Sequence, residues 1–240
     1  MIAFSRSKLL PWVSILFIEL YLFLGVFIPF WFHDRGNFWD SAGHIFSTWF
    51  QRQYLFPNIT GWNPFFFTGY PHNTFYGPAY HTIMVLFSFP FGVLASFKIV
   101  TILSIAALPF ALYYFALKWR FDDTESAILI FLMMVPITTL HIASGATLYS
   151  MFSVGLGSEA LALPFFFVYY GKLKEVLDRL KSGEIERVGG RDFLMLTLLA
   201  VFIVLTHFVV MIAAFIVAFI LVANTFRKSV ALFAIQHAGI

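Results

Sequence analysis

Asp40 and His44 stand four residues apart in the run Trp39-Asp40-Ser41-Ala42-Gly43-His44. On a helix that spacing puts a carboxylate and an imidazole on one face, within reach of each other. Such a pair can work as a general base with its partner, or supply two ligands to a hard divalent cation. It is equally the pattern of an acid and a histidine facing water on a surface helix. The surrounding stretch, 34–81, is polar but poor in lysine. It holds a second acid, Asp34, which competes with Asp40 for the role of base, and His33, His44, His72 and His81 lie in it or next to it. Further along, His141, Tyr149, Glu159 and His207 are the polar groups that one membrane face would gather with it.

Other chemistries lack their residues. The chain has no cysteine, which removes thiolate catalysis, disulfides and cysteine metal sites. The histidines are scattered and form no HExxH, so a zinc centre of three or four ligands is not expected. There is no P-loop and no GxSxG. Gly155-Leu156-Gly157 lacks the preceding strand and third glycine of a dinucleotide fingerprint, so no nucleotide cofactor is expected.

The elements that must position these groups are apolar. Of 240 residues 60% are hydrophobic and only 11% charged, and the mean hydropathy is +0.86. A soluble domain runs nearer to about 25% charged, so the pattern predicts an all-α, polytopic membrane bundle. The net charge of +3 does not point to nucleic acid, because the basic residues flank apolar runs and read as topology signals. The 33 phenylalanines read as lipid-facing and packing surface.

The run Leu9–Phe32 is long enough to span and has no cleavage site after it, so it reads as a retained anchor with a cytoplasmic N-terminus. Glu19 lies near its middle, either neutral in helix packing or as a functional acid. An outer loop, 33–80, follows, with a surface helix over Ser41–Tyr54 whose apolar face is Ile45, Trp49 and Phe50. The Pro, Gly and Asn punctuation of Pro57–Pro78 predicts irregular backbone. His81–Ala95 reads as interfacial or re-entrant and Lys98–Leu117 as the second crossing. Ala127–Leu140, with Thr124 as N-cap, is the third, and Glu159–Tyr170 the fourth. A cytoplasmic basic loop, 172–191, precedes Leu194–Ala223, which reads as a hairpin of two short arms with His207 at its outer turn. These six crossings place 12 of the 15 Lys and Arg on the cytoplasmic side, leaving Arg35, Arg52 and Lys98 outside. The whole, 1–240, reads as one module that stops soon after its sixth crossing, as an N-terminal portion of a longer protein does.

Several pieces of the outer loop have a family likeness. Asp40-Ser41-Ala42-Gly43-His44, then Gly61-Trp62-Asn63-Pro64, Phe67-Thr68-Gly69-Tyr70-Pro71 and Phe75-Tyr76-Gly77-Pro78-Ala79-Tyr80 follow the first apolar run in that order. Together they resemble the first outer loop of GT-C type membrane glycosyltransferases. The likeness is to a prokaryotic branch with Asp-x-x-x-His and Trp-Asn-Pro…Gly-Tyr-Pro…Tyr-Pro-Pro motifs. Gly155 to Pro164, containing Glu159, resembles its second acidic motif, and Thr206-His207 its later Thr-His hairpin. Gly77-Pro78 stands where the branch has a proline pair, and its C-terminal half and soluble domain have no counterpart in these 240 residues.

The resemblance implies an inverting, multi-pass transferase of the cell membrane. It would move a sugar from a polyprenyl-phosphate donor to an acceptor at the outer face. Asp40 takes the role of catalytic base. Glu159, with a divalent cation such as Mg or Mn, stands on the donor-phosphate side, with His44 and His207 as phosphate- or metal-side partners. Trp62, Asn63, Tyr70, Tyr76 and Tyr80 would wall the substrate pocket, although each aromatic also fits an interfacial belt. Two other functions suit the same residues: a non-catalytic protein that binds or moves a polyprenyl lipid, and a transporter with Glu19 as coupling acid. No matched pair of broken helices supports the transporter.

Overall fold

A computed structural model describes residues 9–33, 39–65, 67–74, 77–139 and 156–238, without the side chains of 33, 39, 135–139 and 227–238. Asp34, Tyr76, His141 and Tyr149 lie outside the described residues.

Among the described residues the fold is helical, apart from one short hairpin. Three helices among the described residues are long and apolar enough to cross a membrane: Leu9–Phe32, Val93–Lys118 and Phe208–Phe226. They mark the chain as a membrane protein.

The first of these is built from α1 (Leu9–Leu22), a wide π turn at Phe23–Phe27 and α2 (Ile28–His33). The wide turn has a local cause. Pro29 has no N–H for the Gly25 carbonyl and its ring collides with that carbonyl, so the turn before it opens and Ile28 N–H bonds Phe23 instead. Next come α3 (Trp39–Phe50), a second π turn (Gln51–Leu55), strands β1 (Gly61–Asn63) and β2 (Tyr70–His72), and α4 (Pro78–Phe91). The strands pair antiparallel, Gly61 to His72 and Asn63 to Tyr70. Segment 57–78 therefore contains an ordered hairpin where its composition predicts only irregular backbone. Six residues link the strands, and an Asx turn in which Asn63 Oδ1 accepts the Phe65 N–H at 3.0 Å starts that link.

Helix α4 starts with Pro78 in its first turn and ends at Gly92, whose φ of +82° turns the chain into α5 (Val93–Lys118). At 14 residues α4 is about 21 Å long, short of the roughly 30 Å hydrocarbon core. Helix α5 begins beside the end of α2: Lys98 Nζ donates to the Trp31 carbonyl at 2.7 Å. Trp31 is in the last turn of its helix, where carbonyls lack helical partners and a cation is favourable. At its other end α5 meets the start of α1, where the Trp12 and Tyr113 rings lie edge to face at 5.3 Å. The two helices thus run antiparallel.

Helix α6 (Asp123–Thr139) starts four residues before the expected Ala127. Its N-cap is Asp122, not Thr124: Asp122 Oδ1 accepts the Glu125 N–H at 2.8 Å, and Glu125 returns a bond to the Asp122 N–H at 2.9 Å. This reciprocal box satisfies two amides at once, which Thr124, already inside the first turn, cannot do.

Helix α7 (Gly157–Lys181) runs parallel to α5, with Gly157 near Thr101 and Gly171 near Tyr114, and the two form the centre of the bundle. It continues eleven residues past Tyr170, so much of the expected basic loop 172–191 is helix. Carboxylates interleaved at helical spacing explain the continuation: Lys172 pairs with Glu175, and Lys174 with Asp178. Cross-helix pairs then tie this end together, Lys118 to Glu175 at 2.6 Å, Lys172 to Asp192 at 2.8 Å and Arg179 to Asp192 at 2.9 Å. Helices α8 (Gly190–Thr206) and α9 (Phe208–Ala238) form the expected hairpin with His207 at its turn, but with longer arms than 194–223 allows. Both arms pack on α7 through Ala162, Ile203, Val210 and Ala214. At 17 residues each, α6 and α8 fall short of the length of the three apolar spans.

Candidate functional site

The site lies at the bundle end where α2 stops and α5 and α7 begin. Helix α3 buries a polar stripe there: Ser41, His44, Thr48 and Gln51, all under 5% exposed. Their spacing of three, four and three is the helical period, so one face of α3 is polar and turned inward. The apolar face expected for this surface helix is Ile45, Trp49 and Phe50. Only Phe50 is fully buried, and Trp49 is 38% exposed.

This stripe meets the hairpin and the first turn of α4. His44 Nδ1 lies 2.9 Å from His81 Nε2. His81 Nδ1 lies 2.9 Å from Asn73 Oδ1. Asn73 Nδ2 donates to Gln51 Oε1 at 3.0 Å and to the Ile59 carbonyl at 2.9 Å, and Gln51 donates onward to Thr82. Beside this chain, Tyr70 OH sits 3.3 Å from His72 Nδ1 and accepts from Asn63. The π turn begins at Gln51, the last residue of the stripe, and Arg52 lies over the Phe89 ring.

The walls enclose a cleft of ≈ 330 Å³ lined by Asp40, Gly43, His44, Ser47, Tyr70, His72, Asn73 and His81. Asp40 is exposed at its edge and the histidines form its depth. Burial lowers the His72 pKa, opposed by the facing Ser47 carbonyl. Burial first, then the neighbouring His44 and His72, holds His81 well below the ordinary 6.5. Burial thus favours the neutral ring at both His72 and His81.

The expected residues divide into three groups. Asp40, His44 and Tyr70 line the cleft together. Asn63 and Tyr80 stand behind it: Asn63 supports Tyr70, and the Tyr80 ring meets His44 edge-on at 5.0 Å. Trp62 is on the hairpin's outer side, 62% exposed, with its indole over Gly69. Glu159, in the first turn of α7, is at the same bundle end but does not line the cleft, because α7 starts against the far side of Tyr80. His207 acts locally, its Nδ1 accepting the Val210 N–H at 3.4 Å as an N-cap of α9. It is held near α4, since Gly77 packs directly on the Leu205 and Thr206 carbonyls. Glu19 lies within the first apolar helix, and its Oε1 is buried without a hydrogen-bond partner among the described residues.

Among the described residues no three His, Asp or Glu side chains converge on a point that could hold a metal ion. His44 and His81 turn their nitrogens toward each other rather than toward a shared centre. The described residues therefore do not fit the divalent cation that the resemblance implies.

Asn73, Gln51, Ser47 and Thr82 were not singled out from sequence. The signal that could have found the first two is the stripe Ser41, His44, Thr48, Gln51, a polar face at helical spacing that needs polar partners once buried. No family model, curated protein or solved structure matches the chain.

Proposed function

We propose that the chain is a GT-C type membrane glycosyltransferase that moves a sugar from a polyprenyl-phosphate donor to an acceptor hydroxyl, with inversion. The observation that carries this reading is the exposed Asp40 carboxylate, one turn from His44 on the wall of a ≈ 330 Å³ cleft at the end of the apolar helices. That volume is in the range of small-ligand sites, roughly 300–1,000 Å³, and a lipid-linked sugar is presented at such a depth. In this mechanism Asp40 takes the acceptor hydroxyl's proton as its oxygen attacks the anomeric carbon. The bond from that carbon to the phosphate oxygen breaks on the opposite side, and the polyprenyl phosphate leaves with the electron pair. The same reading has six crossings in the cell membrane, a cytoplasmic N-terminus and the cleft at the outer face.

A second reading is a protein that binds a polyprenyl lipid without catalysis. It is favoured by the apolar hairpin rim, where Trp62 is 62% and Phe67 94% exposed. Proteoliposomes given polyprenyl-phosphate hexoses separate the two. Transfer by the native chain, lowered by about a hundredfold or more in Asp40→Asn with insertion unchanged, supports the enzyme. Lipid binding with no transfer by either chain supports the binder.

A further inference from the structure

The hydrogen-bond chain behind the cleft has a fixed direction, because one end is anchored on backbone. A carbonyl has no proton to give, so the Asn73 atom 2.9 Å from the Ile59 carbonyl is the amide nitrogen. The second proton of that nitrogen goes to Gln51 Oε1. Asn73 therefore turns Oδ1 to His81. An amide oxygen only accepts, so His81 Nδ1, 2.9 Å away, carries a proton.

His81 is 3% exposed, and burial with two histidine neighbours disfavours a second proton on it. A neutral ring protonated at Nδ1 has its lone pair at Nε2. His44 Nδ1 lies 2.9 Å from that nitrogen, so His44 must donate from Nδ1. The groups facing this pair from each packed element are Asp40 on α3, Tyr70, His72 and Asn73 on the hairpin, and Tyr80 on α4.

We infer that Asn73 is a positioning residue: acting through His81, it fixes His44 in the Nδ1–H tautomer, which makes Nε2 the acceptor nitrogen of His44. For its consequence, though not for its geometry, the inference rests on the glycosyl-transfer reading. There His44 stands beside Asp40 as a proton acceptor, and not as the phosphate- or metal-side partner that the resemblance implies.

The test is nitrogen-15 NMR of the full chain in detergent at pH 8, with labelled histidine and with His44→Gln and His81→Gln used to assign the signals. In the native chain both rings should be protonated at Nδ1 and bare at Nε2. Asn73→Leu removes the acceptor, so His81 moves its proton to Nε2 and His44 changes to Nε2–H in response. A native His44 protonated at Nε2 overturns the inference, whether or not the Asn73→Leu variant folds. So does a folded Asn73→Leu chain with His44 unchanged. Sugar transfer is not read in this experiment, so failure of the enzymatic reading and failure of the tautomer assignment are separate results.

Discussion

Gly157 lies against the hydroxyl of Tyr80 so closely that a methyl group on its Cα would overlap that oxygen. Tyr80 OH also lies 3.4 Å from Thr101 Oγ1, and the other side of its ring meets His44. One fully buried phenol thus joins the start of α7, the upper part of α5 and the histidine face of α3. The glycine is required by close approach, not by backbone angle, and it sets how near α7 can come to the cleft.

Gly157→Ala is accordingly expected to push α7 off Tyr80 at a cost of about 1–3 kcal/mol, the usual range for overpacking. Tyr80→Phe removes the oxygen that the new methyl meets. The double variant should recover part of the loss, with a coupling of about 0.5–3 kcal/mol as expected for residues in contact. Thermal unfolding in detergent measures all four corners of the cycle. Strict additivity would mean that the two residues do not touch.

A second glycine makes a harsher prediction. A Cβ at Gly77 meets the carbonyls of Leu205 and Thr206, which are backbone and cannot rotate away. Those carbonyls end α8 and lead into His207, the cap of α9. Gly77→Ala should cost about 3 kcal/mol or more, and fluorescence-detected size exclusion should show little monodisperse protein. A variant with native yield and melting temperature would show that the α8–α9 turn does not rest on α4.

The ionic cluster at the opposite bundle end gives a pH dependence with a definite sign. The hydrogen bond from Lys118 leads in lowering the Glu175 pKa, and that from Lys172 leads in lowering that of Asp192. Depressed carboxylates stabilise the fold above their unfolded values, about 4, and the contribution is lost as pH falls through the lower folded values. Burial works against Lys172, but bonds to Asp192 and Glu175 raise its pKa overall. Its contribution is present below about 10.4 and disappears as pH rises through the raised folded value. Melting temperature should therefore form a plateau through neutral pH with losses on both sides. Asp192→Asn should flatten the acid side, and an unchanged acid side would remove the cluster from the account.

Much of this arrangement is legible in the sequence, but only where one rule acts alone. Length and hydropathy place Leu9–Phe32 and the α5 span, although the break expected between Ala95 and Lys98 falls at Gly92. The Asp40 and His44 spacing correctly brings those two residues to one wall. The apolar face of α3 is legible, but its buried stripe is not, because an amphipathic reading follows apolar residues, whereas here the polar Ser41, His44, Thr48 and Gln51 turn inward. Asn73 was invisible for a related reason: its role depends on three partners 8, 14 and 22 residues away, and no local pattern announces it. Glu159 reached the correct end but not the cleft, because sequence order cannot show that Tyr80 stands between.

Orientation is testable through the absent cysteines. Lys98 on the Trp31 carbonyl fixes one end of the α1–α5 pair, and Lys118 on Glu175 fixes the other end of the α5–α7 pair. Asn58, on the exposed loop before the hairpin, and Ser182, just past α7, are exposed at these opposite ends. Neither substitution touches the cleft lining, and the native chain offers no background thiol. In intact cells a membrane-impermeant maleimide should label Asn58→Cys and leave Ser182→Cys unmodified until the membrane is opened. The reverse pattern would turn the cleft to the cytoplasm and remove an outer-face donor from the proposed reaction. Labelling of both from outside would mean that α5 and α7 do not cross at all, and the site would then have to be explained as a surface pocket of a protein lying on the bilayer.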